Sequence, residues 1–505
     1  MSPGGRELAR RLTLQYTVAS TAILAASGLL GVLIRLSQAD AGGRLDDNTW
    51  YALMTAHGLG SFVGWGAFAV MGLSWCVLAS IGFELRPFGA WMAKAALWLM
   101  VAGVAGVVVT TVFLGFGGSW VFLYPLPFYS AGQWGDGTTA LFAFSVLLVG
   151  LAIVTWCLAI VHTVVGPALH AVSRNPFNRF FTAIGFGYLW PKRFATNPEA
   201  VPYPLIPLGV IGIDMIIATL PLAGLLVFMI FQSFVDISVS PLLAKNILWW
   251  FGHPVVYLLL FPAVAIYYLL IPRYAKRPLV AGNVVALAWV IAVIANVLVW
   301  AHHIYLDFPS GTAQAAINVA MQPMTFALTI PSALSLYSLG FTIYRSDFEW
   351  NAASTALFLG LVSWLLAGLS GVVNATIAFD AVVHNSLWIV GHFHHMALLN
   401  IGLVIFGATY AFLPELTGRP LWSEAAARWH IWLTFFAGTF MSALWIWQGL
   451  EGAPRRFSVL PDAYDDLAVA AAPVVIVLAL AQLLYFVNVV QTLRGAGARE
   501  AEATA

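Results

Sequence analysis

Six of the eleven histidines stand inside long apolar runs: His57, His253, His302, His303, His392 and His394. An ionisable side chain in such a run is costly and marks function by default. Neutral imidazole is the commonest transition-metal ligand, and few acids and no paired thiols stand near these residues. A single buried histidine such as His57 is as readily a hydrogen-bonded core group; six from four runs far apart in sequence are hard to explain that way. Spacing divides the work among them. Each residue turns an α-helix by about 100°, so His392 and His394, two apart, point to opposite sides and cannot share one metal. They can serve two flat macrocycles, one on each side. His253 and Tyr257, four apart, share a helix face, so phenol and imidazole can touch. His302 and His303 are adjacent, and both can turn to one ion if the backbone loosens there. The pattern asks for two haem-like groups and one mononuclear metal.

The elements that position these groups follow from composition. The chain has 505 residues, 61% hydrophobic and 9% charged, where a soluble domain carries roughly a quarter charged residues. A bilayer core of about 30 Å needs roughly 20 apolar residues per helix. Twelve such runs are present, at about 14–36, 52–82, 89–115, 137–166, 204–232, 240–272, 278–304, 312–344, 352–374, 380–413, 429–450 and 466–493. None alternates in polarity as membrane β-strands do. The expected fold is an all-α polytopic membrane bundle of about 12 transmembrane helices, with residues 1–505 as a single domain. Sixteen of the 22 Lys and Arg fall on alternate loops counted from the N-terminus, five on the others, and Lys94 lies within a span. Both termini are therefore expected in the cytoplasm, and the first apolar run is read as a retained span rather than a cleaved signal. A net charge of +1 argues against nucleic acid as a partner. Cys76 and Cys157, without CxxC spacing, offer neither a disulfide framework nor a thiolate metal site. The connector near 167–203 carries an apolar patch, FFTAIGFGYLW, expected to lie on the membrane interface. On this topology all six histidines fall in the outer half of the membrane.

Four segments carry a resemblance: WWFGHPVVYLLLFP (249–262), VWAHHIYLD (299–307), GVVNATIAFDAVVHNSLWIVGHFH (371–394) and APRRFSVLPDAY (453–464). Together they resemble subunit I of the haem–copper oxygen reductases. GHPVVY lacks the glutamate that the largest branch has after the proline, and so is similar to the B-family of ba-type cytochrome c oxidases. The resemblance implies that His57 and His394 ligate a low-spin haem, that His392 is the proximal ligand of a high-spin haem, and that His253, His302 and His303 hold one copper. It implies that Tyr257 is bonded to His253 and supplies the electron and proton that complete O–O cleavage. Arg455 and Arg456 resemble the pair that holds haem propionates, where a guanidinium fork suits carboxylates. Asp380 and His384 resemble the polar group above the high-spin propionates.

A respiratory terminal oxidase of the cell membrane is thereby implied, reducing O2 to water with coupled proton translocation. Its cofactors would be two haems, the low-spin one of b type and the high-spin one of a or o type, and one copper ion. No dicopper site can be built from this chain, so electrons would come from cytochrome c through a subunit II that carries one, with a small extra subunit and membrane lipid as further partners. A quinol donor stays open. Protons would rise from the cytoplasmic side past Tyr268, Ser335 and Ser332, with Thr329 near, to Tyr257; relatives have a tyrosine where Val264 stands. Nitric oxide reductase shares the six-histidine plan but places glutamates near the metals, whereas all nine glutamates here are read as lying in loops or tails. A haem-binding carrier would need only bis-histidine pairs. Asp214, alone in span five, has no assigned role. Lys94 is expected to snorkel, and His395, His162, His170 and His430 to be ordinary polar groups.

Overall fold

The computed structural model describes residues 3–194, 201–307 and 311–495. Of the residues used in the charge reading, Arg499, Glu199, Glu500, Glu502 and the side chain of Arg6 lie outside that description. In hydrocarbon every backbone N–H and C=O must be satisfied within its own segment, and the regular structure of the described residues is helical, with one isolated bridge between Ser386 and Pro454. Among the described residues eleven helices are long and apolar enough to span a membrane: α1 (Glu7–Gln38), α2 (Asp47–Ser80), α3 (Pro87–Phe113), α4 (Asp136–Val164), α5 (Leu205–Gln232), α6 (Pro241–Ala275), α8 (Ala313–Ile343), α9 (Ala352–Ala375), α10 (Leu387–Thr417), α11 (Glu424–Leu450) and α12 (Asp462–Arg494). The shorter apolar helix Gly282–Asn296 takes the remaining place, as α7. The chain is thus an all-helical, multi-pass membrane protein.

The reading of span seven is corrected. Span seven, read as one helix over 278–304, is helical only to Asn296; it turns at Val297 and continues as a 3₁₀ segment, Val299–Ile304. Its uniformly apolar sequence did not locate the break, although two adjacent histidines serving one ion already required the helix to loosen near them. The patch expected on the interface folds into short helices, with Ala183 and Ile184 packed into the main core and Leu189 and Trp190 left exposed at its surface. Arg179 anchors it, donating to the carbonyls of Val165, Ser173 and Arg174.

Burial ranks the helices. In their most apolar 18-residue stretches α2, α6 and α10 are 94%, 83% and 78% buried, against 22% for α1 and α12, and these three innermost spans carry four of the six histidines. Glutamates also depart from the loop-or-tail reading, because Glu7, Glu415 and Glu424 occupy terminal helical turns. There they pair with Arg11, Arg273 and Arg428. Lys94 is exposed near the start of α3, as snorkelling requires. Both cysteines are free and buried.

Candidate metal centre

His57 and His394 come from α2 and α10 to lie with ring centroids 6.2 Å apart and planes within 10° of parallel. His57 Nδ1 is 2.8 Å from the Ser27 carbonyl and His394 Nδ1 is 2.9 Å from that of Val390. A carbonyl only accepts, so Nδ1 of each ring carries the proton and Nε2 keeps its lone pair for a metal. Metal–imidazole bonds of about 2 Å on each side of one ion, plus the rings themselves, span about this gap. The ring pair fits a bis-histidine iron. α1 must approach closely to supply the Ser27 carbonyl, and glycine permits it: a Cβ at Gly31 would lie 2.5 Å from His57 Cε1. Both helices continue as π-helical turns directly after their histidines, Gly60–Ala67 three residues beyond His57 and His395–Gly402 immediately beyond His394.

His392 faces α9. Its Nδ1 is 2.8 Å from Ser370 Oγ, whose own proton goes to the Ala367 carbonyl at 2.9 Å. Ser370 must therefore accept from Nδ1–H, again leaving Nε2 free for iron. A Cβ at Gly371 would sit 3.4 Å from this ring, so the glycine keeps the approach open.

The other three histidines stand at backbone breaks. His253 joins the two halves of α6, between Gly252 and Pro254, where the proline has no N–H for a continuous ladder. His302 and His303 lie in the 3₁₀ segment after α7, where the departure from α-helical winding brings both rings toward His253, with centroids 4.4 and 5.4 Å from it. One ligand atom from each of the three lies within 4.8 Å of the others. His253 Nδ1 is 3.2 Å from His303 Nε2, a spacing that bonds of about 2 Å to a common ion would produce. His253 Nε2 is buried without a partner. Thr325 lies 3.3 Å from His302 Nδ1, and Trp249 stacks on His303 at 4.0 Å. The 3₁₀ segment is held on several sides. Trp300 donates to Asn246, Asn318 donates to the Ile304 carbonyl, and Asp307 pairs with Lys245 at 2.5 Å. Tyr257, one turn beyond His253, places its ring centroid 4.8 Å from that imidazole.

Beside these groups, Asp380 is buried and its Oδ2 meets His384 Nδ1 at 2.9 Å. Arg455 is held by Asn385 through backbone and side chain. Burial pushes its guanidinium down to about 9 with help from Arg456, against the opposing pull of Asp380 and Asp307. Its Nε is buried and unpartnered, so the cradle has capacity for a further anion such as a carboxylate. Arg456, lowered by burial in the same way, adopts φ +68° and gives its carbonyl to the Tyr51 hydroxyl.

Along α6, Tyr268 lies 11 residues past Tyr257, about 16 Å down the axis. Its hydroxyl is 2.6 Å from Ser335 Oγ on α8 and receives Trp289 Nε1 at 3.2 Å. Ser332, one turn before Ser335, is half-buried. Thr329 is exposed and turns its hydroxyl back to the Phe326 carbonyl, so it departs from the expected track. His395 and His430 are buried, the latter 2.9 Å from the Tyr410 hydroxyl.

Sequence reasoning missed several groups. Ser27, Ser370, Thr325 and Asn385 contribute through orientation, which spacing does not reveal. Arg35 is 2% exposed with no carboxylate paired to it among the described residues; it bonds Gln38 and Gln448 and lies 5.7 Å from the Trp445 ring, which itself packs on His394 at 4.5 Å. Its position inside an apolar run was a usable signal, submerged in the tally of loop charges.

Comparison with known proteins decides the family. Residues 11–484 match the model of cytochrome C and quinol oxidase polypeptide I. The chain belongs to that family. It is 31% identical over 325 residues to cytochrome c oxidase subunit 1 of Thermus thermophilus, a match covering 59% of this chain and 57% of the relative's length. The subunit 1 proteins of Synechocystis and Corynebacterium diphtheriae are each 25% identical, with 86% and 88% of this chain covered and 75% of each relative. A heme-copper terminal oxidase dimer solved by cryo-EM superposes on 96% of this chain and 84% of its own with TM-score 0.76 at 20% identity, a likeness of fold. Oxidases of this family carry haems and copper and assemble with further subunits, which suits the two iron-fitting histidine sets and the three-histidine cluster.

Proposed function

We propose that this chain is the catalytic subunit of a terminal respiratory oxidase, a cytochrome c oxidase that reduces O2 to water at a high-spin haem/copper centre and couples the reaction to proton translocation. The observation that carries the reading is the convergence of His253, His302 and His303 within 4.8 Å of one another with Tyr257 against the first of them. A low-spin haem alone would leave that cluster without purpose. His57 and His394 would hold the low-spin haem, His392 the high-spin haem and the triad one copper. When bound, the metals supply electron transfer and dioxygen activation.

The remaining work belongs to the protein. Backbone and hydroxyl acceptors fix each iron-binding ring so that Nε2 faces inward. Tyr257 holds a proton at its phenolic oxygen within the site, and Tyr268 with Ser335 forms the nearer end of a route from the cytoplasmic side, with Ser332 beyond it. Arg455 and Arg456 would hold propionates, and Asp380 with His384 would hold a proton above them. The GHPVVY segment, with Val255 after the proline, favours the B-family branch. Both termini would face the cytoplasm of a cell membrane, with electrons entering from cytochrome c through a dicopper subunit II. The test is metal and haem content of the purified complex with oxygen uptake on reduced cytochrome c. Two haems and one copper per chain with rapid uptake are expected; absence of copper would sink the proposal, and uptake on quinol alone would replace the donor.

A further inference from the structure

Asp214 is 1% exposed in α5, and the oxidase reading gives it no task. Its Oδ2 accepts from Asn296 Nδ2 at 2.8 Å. Its Oδ1 is buried without a partner, and so is Asn296 Oδ1. No cation among the described residues acts on the carboxyl; Asn296 is the one hydrogen-bond partner, and the other titratable group facing it is Cys157 of α4. An uncompensated buried carboxylate is among the least tolerable groups in a protein interior. The two orphaned atoms offer a resolution, because both are oxygens belonging to the same pair. One proton on Asp214 Oδ1 supplies the missing donor and Asn296 Oδ1 the missing acceptor. Carboxylic acid and primary amide then close a ring of two hydrogen bonds, the amide donating to the acid carbonyl and the acid hydroxyl to the amide carbonyl, with every group satisfied.

Position gives the ring its purpose. Asn296 is the last residue of α7, immediately before the turn that leads to the 3₁₀ segment with His302 and His303. α7 is also tied at Trp289, which donates to Tyr268. We propose that Asp214 is a protonated positioning residue whose acid–amide ring with Asn296 fixes the end of α7 and, through it, the two adjacent copper-ligand histidines. Only the last clause rests on the oxidase reading.

The test has two arms on the assembled complex. In an ester-free detergent, the infrared spectrum of wild type minus that of Asp214→Asn should contain the carbonyl band of a protonated carboxylic acid, shifted in D2O after long exchange. Absence of the band overturns the protonated ring whatever the metal content. In the second arm, copper affinity is measured by competition with a chelator. Asp214→Ala, which leaves the Asn296 amide buried and unpaired, should bind copper about tenfold more weakly. Asp214→Asn, which can restore a two-bond ring as an amide pair, should stay near wild type. Equal affinity in all three proteins overturns the positioning role, as does equal weakening in both variants. Where Asp214→Ala fails to assemble, Asn296→Asp, which rebuilds the ring as an acid pair, takes its place and should also keep near-wild-type affinity; weakening there overturns the role. Wild type without copper would count against the oxidase reading, leaving the infrared arm intact.

Discussion

The two kinds of histidine site are built by opposite means. His57 and His394 sit on helices that run on past them, and their Nδ1 atoms are tied to main-chain carbonyls at 2.8 and 2.9 Å. Their orientation is thus a property of the backbone. His253, His302 and His303 stand where helices stop or change winding, and their support is side chains: Thr325, Trp249 and, around the segment, Asn246, Asn318 and Lys245. Two facing rings can be presented by helices that continue past them, here as π turns, whereas three converging on one point from two segments need backbone that leaves the helix. The cost of that departure is met by the surrounding polar network.

The contrast can be broken by substitutions, the largest effect first. His303→Ala should remove copper and abolish oxygen uptake while the low-spin optical spectrum stays; loss of both signals together would mean the sites are not independent. Tyr257→Phe should preserve both haem spectra and copper content yet slow turnover about a hundredfold or more, because a positioned proton donor is lost; turnover close to wild type would remove the phenol from the reaction. Gly31→Ala should displace the His57 ring, at about 1–3 kcal/mol of overpacking, and broaden or shift the low-spin haem band with the copper site unaffected. Ser370→Ala should be mildest, withdrawing about 1 kcal/mol of hydrogen bonding from His392. It would be read as a small shift in the high-spin haem's redox midpoint, and an unchanged midpoint would mean that the serine does not tune that ligand.

The same contrast explains what the sequence made legible. Twelve apolar runs read well because hydrocarbon leaves helix as the economical option and thickness sets its length. The histidines were conspicuous as polar groups in apolar runs, and the 200° offset of His392 from His394 could be calculated from helix geometry alone. The break after Asn296 was not legible, since its flanking sequence, VIANVLVWAHH, is as apolar as a continuing helix; what ends α7 is tertiary, in α5, α6 and α8. The Ser27 carbonyl was invisible for another reason: any residue supplies a carbonyl, so no side-chain type marks it. Thr329 misled because exposure and self-bonding depend on helix rotation, which a uniformly apolar stretch does not specify.

The bond from Ser27 to His57 has a bearing on biogenesis. Donor and acceptor lie on the consecutive helices α1 and α2, so that hairpin already carries an aimed imidazole long before α10, which brings His394, is synthesised. Iron delivered early would find one axial partner and an empty face. With His57 and His394 holding the low-spin haem as proposed, maturation would favour late cofactor insertion, or an escort that covers the open side until α10 arrives.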